Sequence, residues 1–377
     1  MLARLALCAS LLLLPWVWAS SEARGAPSAS IGEEEYQTLS RAIELEDRGR
    51  MKRAIRLLKG LQRRFPEDPV VLHELSLAYR MNQQPGDAVR LLAPHLDILP
   101  VDTLAAYCSA LDEAGLSAES EAATREAIER YPSSGLLYST LGTTLVGAER
   151  YDEALAAYTA GMSAEVTWPS NYLRAAQIAS WSEEPAMALV WGETFCHLEG
   201  GARCVDALVA MDKVYTEGIS LKPTSSGELQ VQTRLTRGPM QVEIGPDGPT
   251  TDLPHAIELA LTIGGAVQAI SPPSLRRVHG MRAGMLGFES KELGSLRDFD
   301  VELFQWLLAL QAAGHLEAYD YMLFASLYPE ESGRYQAENP AAVEAMLRYI
   351  ERHPFTPTRP ALATDRVRVG LPGVELP

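Results

Sequence analysis

Between Glu35 and Gly200 the apolar positions fall at helical spacing, and the pattern restarts at nearly constant intervals. The first unit, read from Glu35, has Gly49 at a turn, Ala54 five residues later, Leu58 and Leu61 beyond it, and Pro66 near its end. A second unit starts at Pro69 and carries Leu72, Leu75, Tyr79, Ala88, Leu92 and Pro100 at matching offsets. The third, from Val101, has Leu104, Tyr107, Cys108, Leu111, Gly115, Ala127 and Pro132. The fourth has Tyr138, Leu141, Gly142 and Leu145, then Tyr151-Asp152-Glu153-Ala154 and Tyr158. The fifth, from Pro169, offers Tyr172, Ala176, Ala179, Ala188 and Phe195. It lacks a closing proline, so it is expected to merge into the next domain. Each unit predicts two antiparallel helices. Pro66, Pro100 and Pro132 are read as closing the second helix, because the residue before a proline is driven out of helical geometry.

Ala54 and Ala88 are 34 residues apart, as are Ala154 and Ala188. A period near 34 with this order of small and large residues resembles the tetratricopeptide repeat (TPR) family, over roughly residues 35–200. The resemblance implies an α-solenoid of about five hairpins, none of which buries both apolar faces alone. At its packing positions, Ala54, Ala88, Gly142 and Ala154 stand where helices approach closely, while Leu75, Tyr79, Leu141 and Tyr158 fill the space between them. Ser120 replaces the packing alanine in the third unit, which predicts a small shift of that hairpin. In the family, the first helices of successive units line a concave groove that holds a protein or peptide partner. Carried over by offset, the groove positions are His73, Leu77, Arg80, Ser109, Asp112, Ser139 and Thr143. The plainer reading is that these are solvated helix faces. The set is poor in Lys, Arg and Asn, so it does not specify an acidic peptide terminus.

Beyond Cys204 the period fades. Val205–Thr216 predicts a helix capping the repeats, and residues 222–227, with Pro223 and Ser225-Ser226-Gly227, read as a linker. Leu229, Val231, Thr233 and Leu235 then alternate with Gln230, Gln232 and Arg234; after Gly238-Pro239, Met240, Val242 and Ile244 alternate with Gln241 and Glu243. This predicts a β-hairpin, ended by Gly245-Pro246-Asp247-Gly248. About five helices are predicted after it, over 252–270, 273–289, 298–313, 315–328 and 340–353. The third of these is capped by Asp298 and, from its run of Leu303, Phe304, Trp306, Leu307, Leu308 and Leu310, is expected to be buried nearly all round. Pro354, Pro357 and Pro360 predict an extended tail, and Val367-Arg368-Val369 a short strand added to the hairpin. The expected fold is mainly α: a TPR-like solenoid with its capping helix over 35–221, then a smaller α+β domain over 222–353 and a proline-rich tail over 354–377.

The start of the chain adds a destination. Arg4 precedes an apolar run from Leu5 to Trp18, and Val17-Trp18-Ala19 suits signal peptidase, so residues 1–19 read as a signal peptide and 20–34 as a loose N-terminus. The alternative is a retained anchor, but the run is short of the roughly 20 residues a span needs, and Pro15 suits its end. Leu5-Ala6-Leu7-Cys8 departs from a lipoprotein box, because Cys8 precedes the apolar run and Leu7 is bulky. No later stretch predicts a membrane segment: Glu258 interrupts 256–270, and 301–313 is too short. The protein is therefore expected to be exported, either periplasmic or secreted. In an oxidising compartment Cys196 and Cys204 read as a disulfide. Free thiols and a metal site with His197 are the alternatives, although zinc wants four ligands. Cys108 belongs to a buried helix face.

The 377 residues carry a formal net charge of −16, which argues against a nucleic-acid surface. The sequence has no Gly-x-Ser-x-Gly elbow, His-Glu-x-x-His helix or phosphate-cradling glycine loop, and it predicts no catalytic residue, cofactor or metal. The most enzyme-like grouping is Glu289, Glu292, Asp298, Asp300 and Glu302, with His279 and His315 on flanking helices. Asp298 and Asp300 also suit helix caps, and Glu289-Ser290-Lys291-Glu292 a solvated turn. Trp168, Trp181 and Trp191 are either a stacking platform or core. The expected function is that of a non-enzymatic exported adaptor or scaffold for a protein or peptide partner. An enzyme in the C-terminal half and a structural component of an envelope assembly are the alternatives.

Overall fold

The computed structural model describes residues 31–182, 185–217, 219–223, 229–233, 243–245, 248–250, 257, 260–261, 273–290, 294–295 and 301–361. The signal-like segment, Asp298 and Asp300, Glu292 and Val367-Arg368-Val369 lie outside them. The chain divides into two compact units between Asn171 and Tyr172, which places most of the fifth repeat with the C-terminal residues.

The first unit is four helical hairpins: α1 (Glu33–Asp47) with α2 (Met51–Arg64), α3 (Pro69–Met81) with α4 (Pro85–Leu92), α5 (Val101–Glu113) with α6 (Ser117–Arg130), and α7 (Gly135–Gly147) with α8 (Tyr151–Ala164). One backbone device turns every hairpin. Gly49, Gln83, Gly115 and Glu149 all adopt left-handed geometry, with φ of 68, 59, 81 and 60°. The next residue's N–H then reaches back five positions, Arg50 to Leu45, Gln84 to Tyr79, Leu116 to Leu111 and Arg150 to Leu145, at 2.7–2.9 Å. This is the Schellman closure of a helix end, which satisfies carbonyls that would otherwise lack partners.

Entry into the hairpins is also locally encoded. Asp68 caps α3 by accepting from the N–H groups of Val70 and Val71, with Pro69 already set for the first turn. The proline stops act as expected at Pro66 and Pro132, just beyond the last residues of α2 and α6. The second hairpin differs. There α4 ends at Leu92 and passes into a 3₁₀ turn, Ala93–His95, so Pro94 and not Pro100 closes it; a proline at this place removes the donor needed to continue the helix.

The seam between helices is made of small residues. Ala54, Ala88 and Ala154 are fully buried, and Leu75, Tyr79, Leu141 and Tyr158 are buried around them. A Cβ on Gly142 would stand 2.4 Å from the Tyr158 ring, so the hydrogen of glycine lets α7 and α8 touch. Ser120 keeps its place in the third seam because its hydroxyl is absorbed: it donates to the Cys108 carbonyl at 2.8 Å and lies 3.1 Å from Thr144 Oγ1. Cys108 is a buried free thiol, pushed up in pKa by that burial. The first helices α1, α3, α5 and α7 touch in sequence, whereas the second helices pack chiefly on the first helices before and after them.

The second unit is built from α9 (Pro169–Ala179) onward, with α10 (Met187–Leu198) packed on α11 (Cys204–Glu217). Cys196 and Cys204 form a disulfide that closes the connection between these two helices, where Gly200 and Gly201 take left-handed φ. Further on are α12 (Leu275–Leu286), α13 (Glu302–Ala312), α14 (Leu316–Leu323), α15 (Pro329–Glu338) and α16 (Pro340–Arg352). The α13–α14 turn repeats the hairpin closure of the first unit, with Gly314 at φ 75° and His315 N–H bonded to the Leu310 carbonyl at 3.0 Å.

Several expectations are corrected here. Among the described residues, 229–233 and 243–245 pair with other strands and not with each other, so the predicted hairpin of 229–235 with 240–244 is not supported; residues 234–242 lie outside the description. Strand β1 (Ile219–Pro223) pairs antiparallel with β2 (Leu229–Thr233), and β3 (Glu243–Gly245) with β4 (Gly248–Thr250); a two-residue pair, β5 (Glu289–Ser290) with β6 (Gly294–Ser295), completes the described strands. Alternation marks a strand without naming its partner, and the breakers read as a linker begin at Pro223, the last residue of β1. Of the helix expected over 252–270, Ile257, Ala260 and Leu261 are described, and they are helical and buried. The helix expected over 315–328 stops at Leu323, and α15 is an additional helix that Pro329 starts. Val301, not Asp298, precedes the first turn of α13, and that helix is one-sided, with Leu303, Phe304, Leu307 and Leu310 buried but Gln305 and Ala309 exposed. Its apolar run outlasts the face that has a partner.

The seam at Gly142 gives a direct test. Gly142→Ala must push the Tyr158 ring aside and should destabilise the first unit by about 1–3 kcal/mol, as overpacked cores do. Chemical denaturation checks this, and Tyr158→Leu introduced alongside should recover part of the loss.

Candidate functional site

The positions assigned to a groove lie on α3, α5 and α7, and several are tied to neighbouring helices. His73 Nδ1 shares a hydrogen bond with Thr103 Oγ1 at 3.1 Å, joining α3 to α5. Arg80 makes a two-pronged ion pair with Glu113 at 2.6 and 3.0 Å, joining the same helices near their ends. Asp112 accepts from the Ser117 hydroxyl at 2.6 Å across its own hairpin turn. Thr143 donates to the Ser139 carbonyl at 2.9 Å and stands exposed. Leu77, Ser109 and Ser139 are half-buried. The first helices are in mutual contact, while the second helices pack chiefly back onto them.

The three tryptophans do not make one platform. Trp168 packs against Gly135, where a Cβ would meet its side chain at 2.6 Å. Trp181 is partly exposed with the Lys213 ammonium 3.1 Å above its ring, a cation–π contact. Trp191 is fully buried.

Of the acidic grouping in the C-terminal half, only the Glu302 side chain lies within the described residues, and it meets neither His279 nor His315. His315 lies against the Tyr349 ring at 5.1 Å, while His279 Nδ1 is 2.8 Å from Asp320 Oδ2. Glu302 turns to the chain after α16, accepting from the Thr358 N–H at 2.7 Å and from its hydroxyl. Among the described residues no cluster of His, Cys, Asp or Glu is arranged to hold a metal ion.

What the structure does assemble is a buried ionic core that sequence inspection misses. Arg282 of α12 forks onto Glu193 of α10 at 2.8 and 2.9 Å and donates through Nε to Asp320 of α14 at 2.7 Å. Its Nη1 also donates to the Tyr215 hydroxyl of α11 at 3.2 Å. Tyr319 donates to Glu193 at 2.8 Å, and its oxygen lies 2.9 Å from His197 Nε2, so the imidazole carries its proton on Nε2. Arg282, Glu193 and Asp320 have side-chain exposures of 2% or less. Burial opposes the charge on Arg282, but Asp320 and Glu193 outweigh it and hold the guanidinium protonated well beyond its ordinary range. The His197 ring is enclosed by Trp306, Phe355 and Tyr319 at centroid distances of 4.8, 5.0 and 6.0 Å, and burial pushes its pKa down to about 4. The network ties α10, α11, α12 and α14 together. The advance signal was Glu193 within the apolar Met187–Leu198 run and Asp320 between Tyr319 and Tyr321.

Neither a protein family nor a characterised relative matches the sequence. Two solved structures are similar to part of it. One is TTC0263, a thermophilic TPR protein in Thermus thermophilus, 16% identical, with the match covering 47% of this chain and 98% of that one at a TM-score of 0.41. The other is MamA, 18% identical, covering 46% and 91% of the two chains at a TM-score of 0.32. The TPR-like character of the first unit stands on its repeated turns and buried seams.

Two outcomes are expected of the ionic core. Arg282→Met strands two carboxylates in the interior and should cost about 3–5 kcal/mol of stability, read by denaturant titration of tryptophan fluorescence. His197, neutral when folded down to about pH 4 but protonated below about 6.5 when unfolded, contributes stability that is complete above pH 6.5 and is lost as pH falls toward 4. The denaturation midpoint should therefore drop between pH 7 and pH 4.5, and it should drop less in His197→Gln.

Proposed function

We propose that the stacked hairpins α1–α8 form the partner-binding face of an exported, non-enzymatic adaptor, with an extended or helical protein segment held along the first helices. The observation that carries this reading is the unbroken row α1, α3, α5, α7, whose outward positions Leu77, Ser109, Ser139 and Thr143 are left half-buried or exposed by the packing. A row of parallel helix faces offers a long surface of repeating geometry, and solenoids characteristically use such a surface for extended ligands. Arg80–Glu113 and His73–Thr103 fix the spacing of that row, so their part is to support the face.

Two observations support export. The amino-terminal residues read as a signal peptide, and Cys196 with Cys204 forms a disulfide, a bond that persists in oxidising compartments. No described helix is long and apolar enough to cross a membrane.

The test is photo-crosslinking in the native host, with the reactive residue placed at Ser109 or Ser139 on the row and at the exposed Glu119 on α6 as control. A discrete protein adduct from the two row positions, absent from the control and recovered in the envelope or culture fraction, is the expected result. Equal labelling from α6, or recovery from the cytosol with the amino-terminal segment intact, would remove the support for this reading.

A further inference from the structure

We propose that the face made by α10 and α13 is a second peptide site, built to read an extended aromatic-x-Pro-Thr segment through its backbone, and that residues 354–361 occupy it in cis.

The segment leaves α16 at Arg352 and runs without helix or strand through Pro354-Phe355-Thr356-Pro357-Thr358-Arg359-Pro360 to Ala361. Phe355 and Pro357 turn inward, while Pro354 and Thr356 are exposed, the period of two of extended backbone, and the chain then bends at Thr358 and Arg359. Three side chains of the receiving face grip its main chain. Trp306 Nε1 donates to the His353 carbonyl at 2.7 Å, the Glu302 carboxylate accepts the Thr358 N–H at 2.7 Å, and Trp191 Nε1 donates to the Ala361 carbonyl at 2.8 Å. The Thr358 hydroxyl, which also donates to Glu302, and the Arg359 guanidinium, 3.8 Å from the same carboxylate, add side-chain polar contacts.

This is more than a chain segment lying on a surface. Trp191 is fully buried with the segment in place, and its indole N–H finds its acceptor in the segment's own backbone, the Ala361 carbonyl. An extended backbone lying in the face therefore completes it. Apolar side-chain recognition centres on two places: Phe355 stands against His197 and Trp306 at 5.0 and 6.0 Å, and Pro357 is buried two residues on. The fit at the second place is incomplete, since a cavity of about 20 Å³ remains between Tyr172, Thr194, Pro357 and Pro360. That is room for one water. Indole donors over a proline-containing backbone with pockets for alternate side chains form a recognised mode of reading pre-extended peptides, in which proline lowers the entropy lost on binding. The occupant we assign is a partner segment of the same chemistry, an aromatic residue two places before Pro-Thr. The tethered copy competes at an effective concentration on the order of millimolar.

The test uses the full chain with Phe355→Ala and Thr358→Ala, which weaken the tethered segment but leave Trp191, Trp306 and Glu302 in place. A fluorescent peptide His-Pro-Phe-Thr-Pro-Thr-Arg-Pro-Ala is titrated and read by anisotropy. The double variant should bind it at least tenfold more tightly than the unaltered chain. Adding Glu302→Gln should remove that gain, and a peptide of scrambled order should not bind. If the double variant loses its cooperative melt, Thr358→Val alone should give the same ordering with a smaller gain. A folded variant that binds the peptide no better than the unaltered chain, or no better than the scrambled peptide, would show the segment to be ordinary core and overturn the proposal. Concentration-dependent dimerisation of the variant with peptide binding absent would overturn it as well, by giving the site to a second copy.

Discussion

Two helices joined by a short turn share one seam but have more than one apolar flank. A hairpin that buries its own seam still leaves an oily side, and the remedy is another hairpin against it. In residues 33–164 this is solved four times with the same parts: a left-handed residue to close the first helix, an alanine or serine five positions later where the next helix comes nearest, and large side chains one turn away. The constraint is severe at the seam and weak elsewhere. Gly142 has no room for a methyl group, while the side chain of its neighbour Thr143 stands exposed.

That asymmetry decides what could be read in advance. Gly49 and Gly115 announced their turns because glycine is the residue that left-handed geometry favours. Gln83 and Glu149 hold the same backbone shape, yet nothing in their chemistry says so; they are legible only as the thirty-fourth residue after a glycine. The C-terminal half offered no second copy to compare. Alternation found the strand at Leu229–Thr233 but could not choose between neighbours on either side, and the described partner is Ile219–Pro223. The helix Pro329–Glu338, polar and interrupted by Gly333, lacks the apolar stripe by which helices are recognised. The disulfide was readable because its two cysteines are near in sequence and the signal-like start raised the expectation of an oxidising compartment.

The ionic core was the hardest feature to foresee, for a physical reason. Arg282 lies 89 residues from Glu193 and 38 from Asp320, and the three stand on different helices. A charge in an apolar run signals only that a partner exists, because desolvating it unpaired would be too costly. The partner's address is a property of the fold. The same holds for the extended segment after α16: its prolines forecast its conformation, while Trp191, Trp306 and Glu302, which receive it, are spread over two helices far apart in the chain.

The first helices of residues 33–147 touch in an unbroken line, and the second helices lean chiefly on that line. Mechanically, such an array is a row of hinged plates with the pins along one margin. Pulling its ends apart or pressing them together changes the gaps on the free margin while the pinned margin keeps its contacts. The spacing along the free margin is then the softest coordinate available to the array, and a bend there leaves the seams packed.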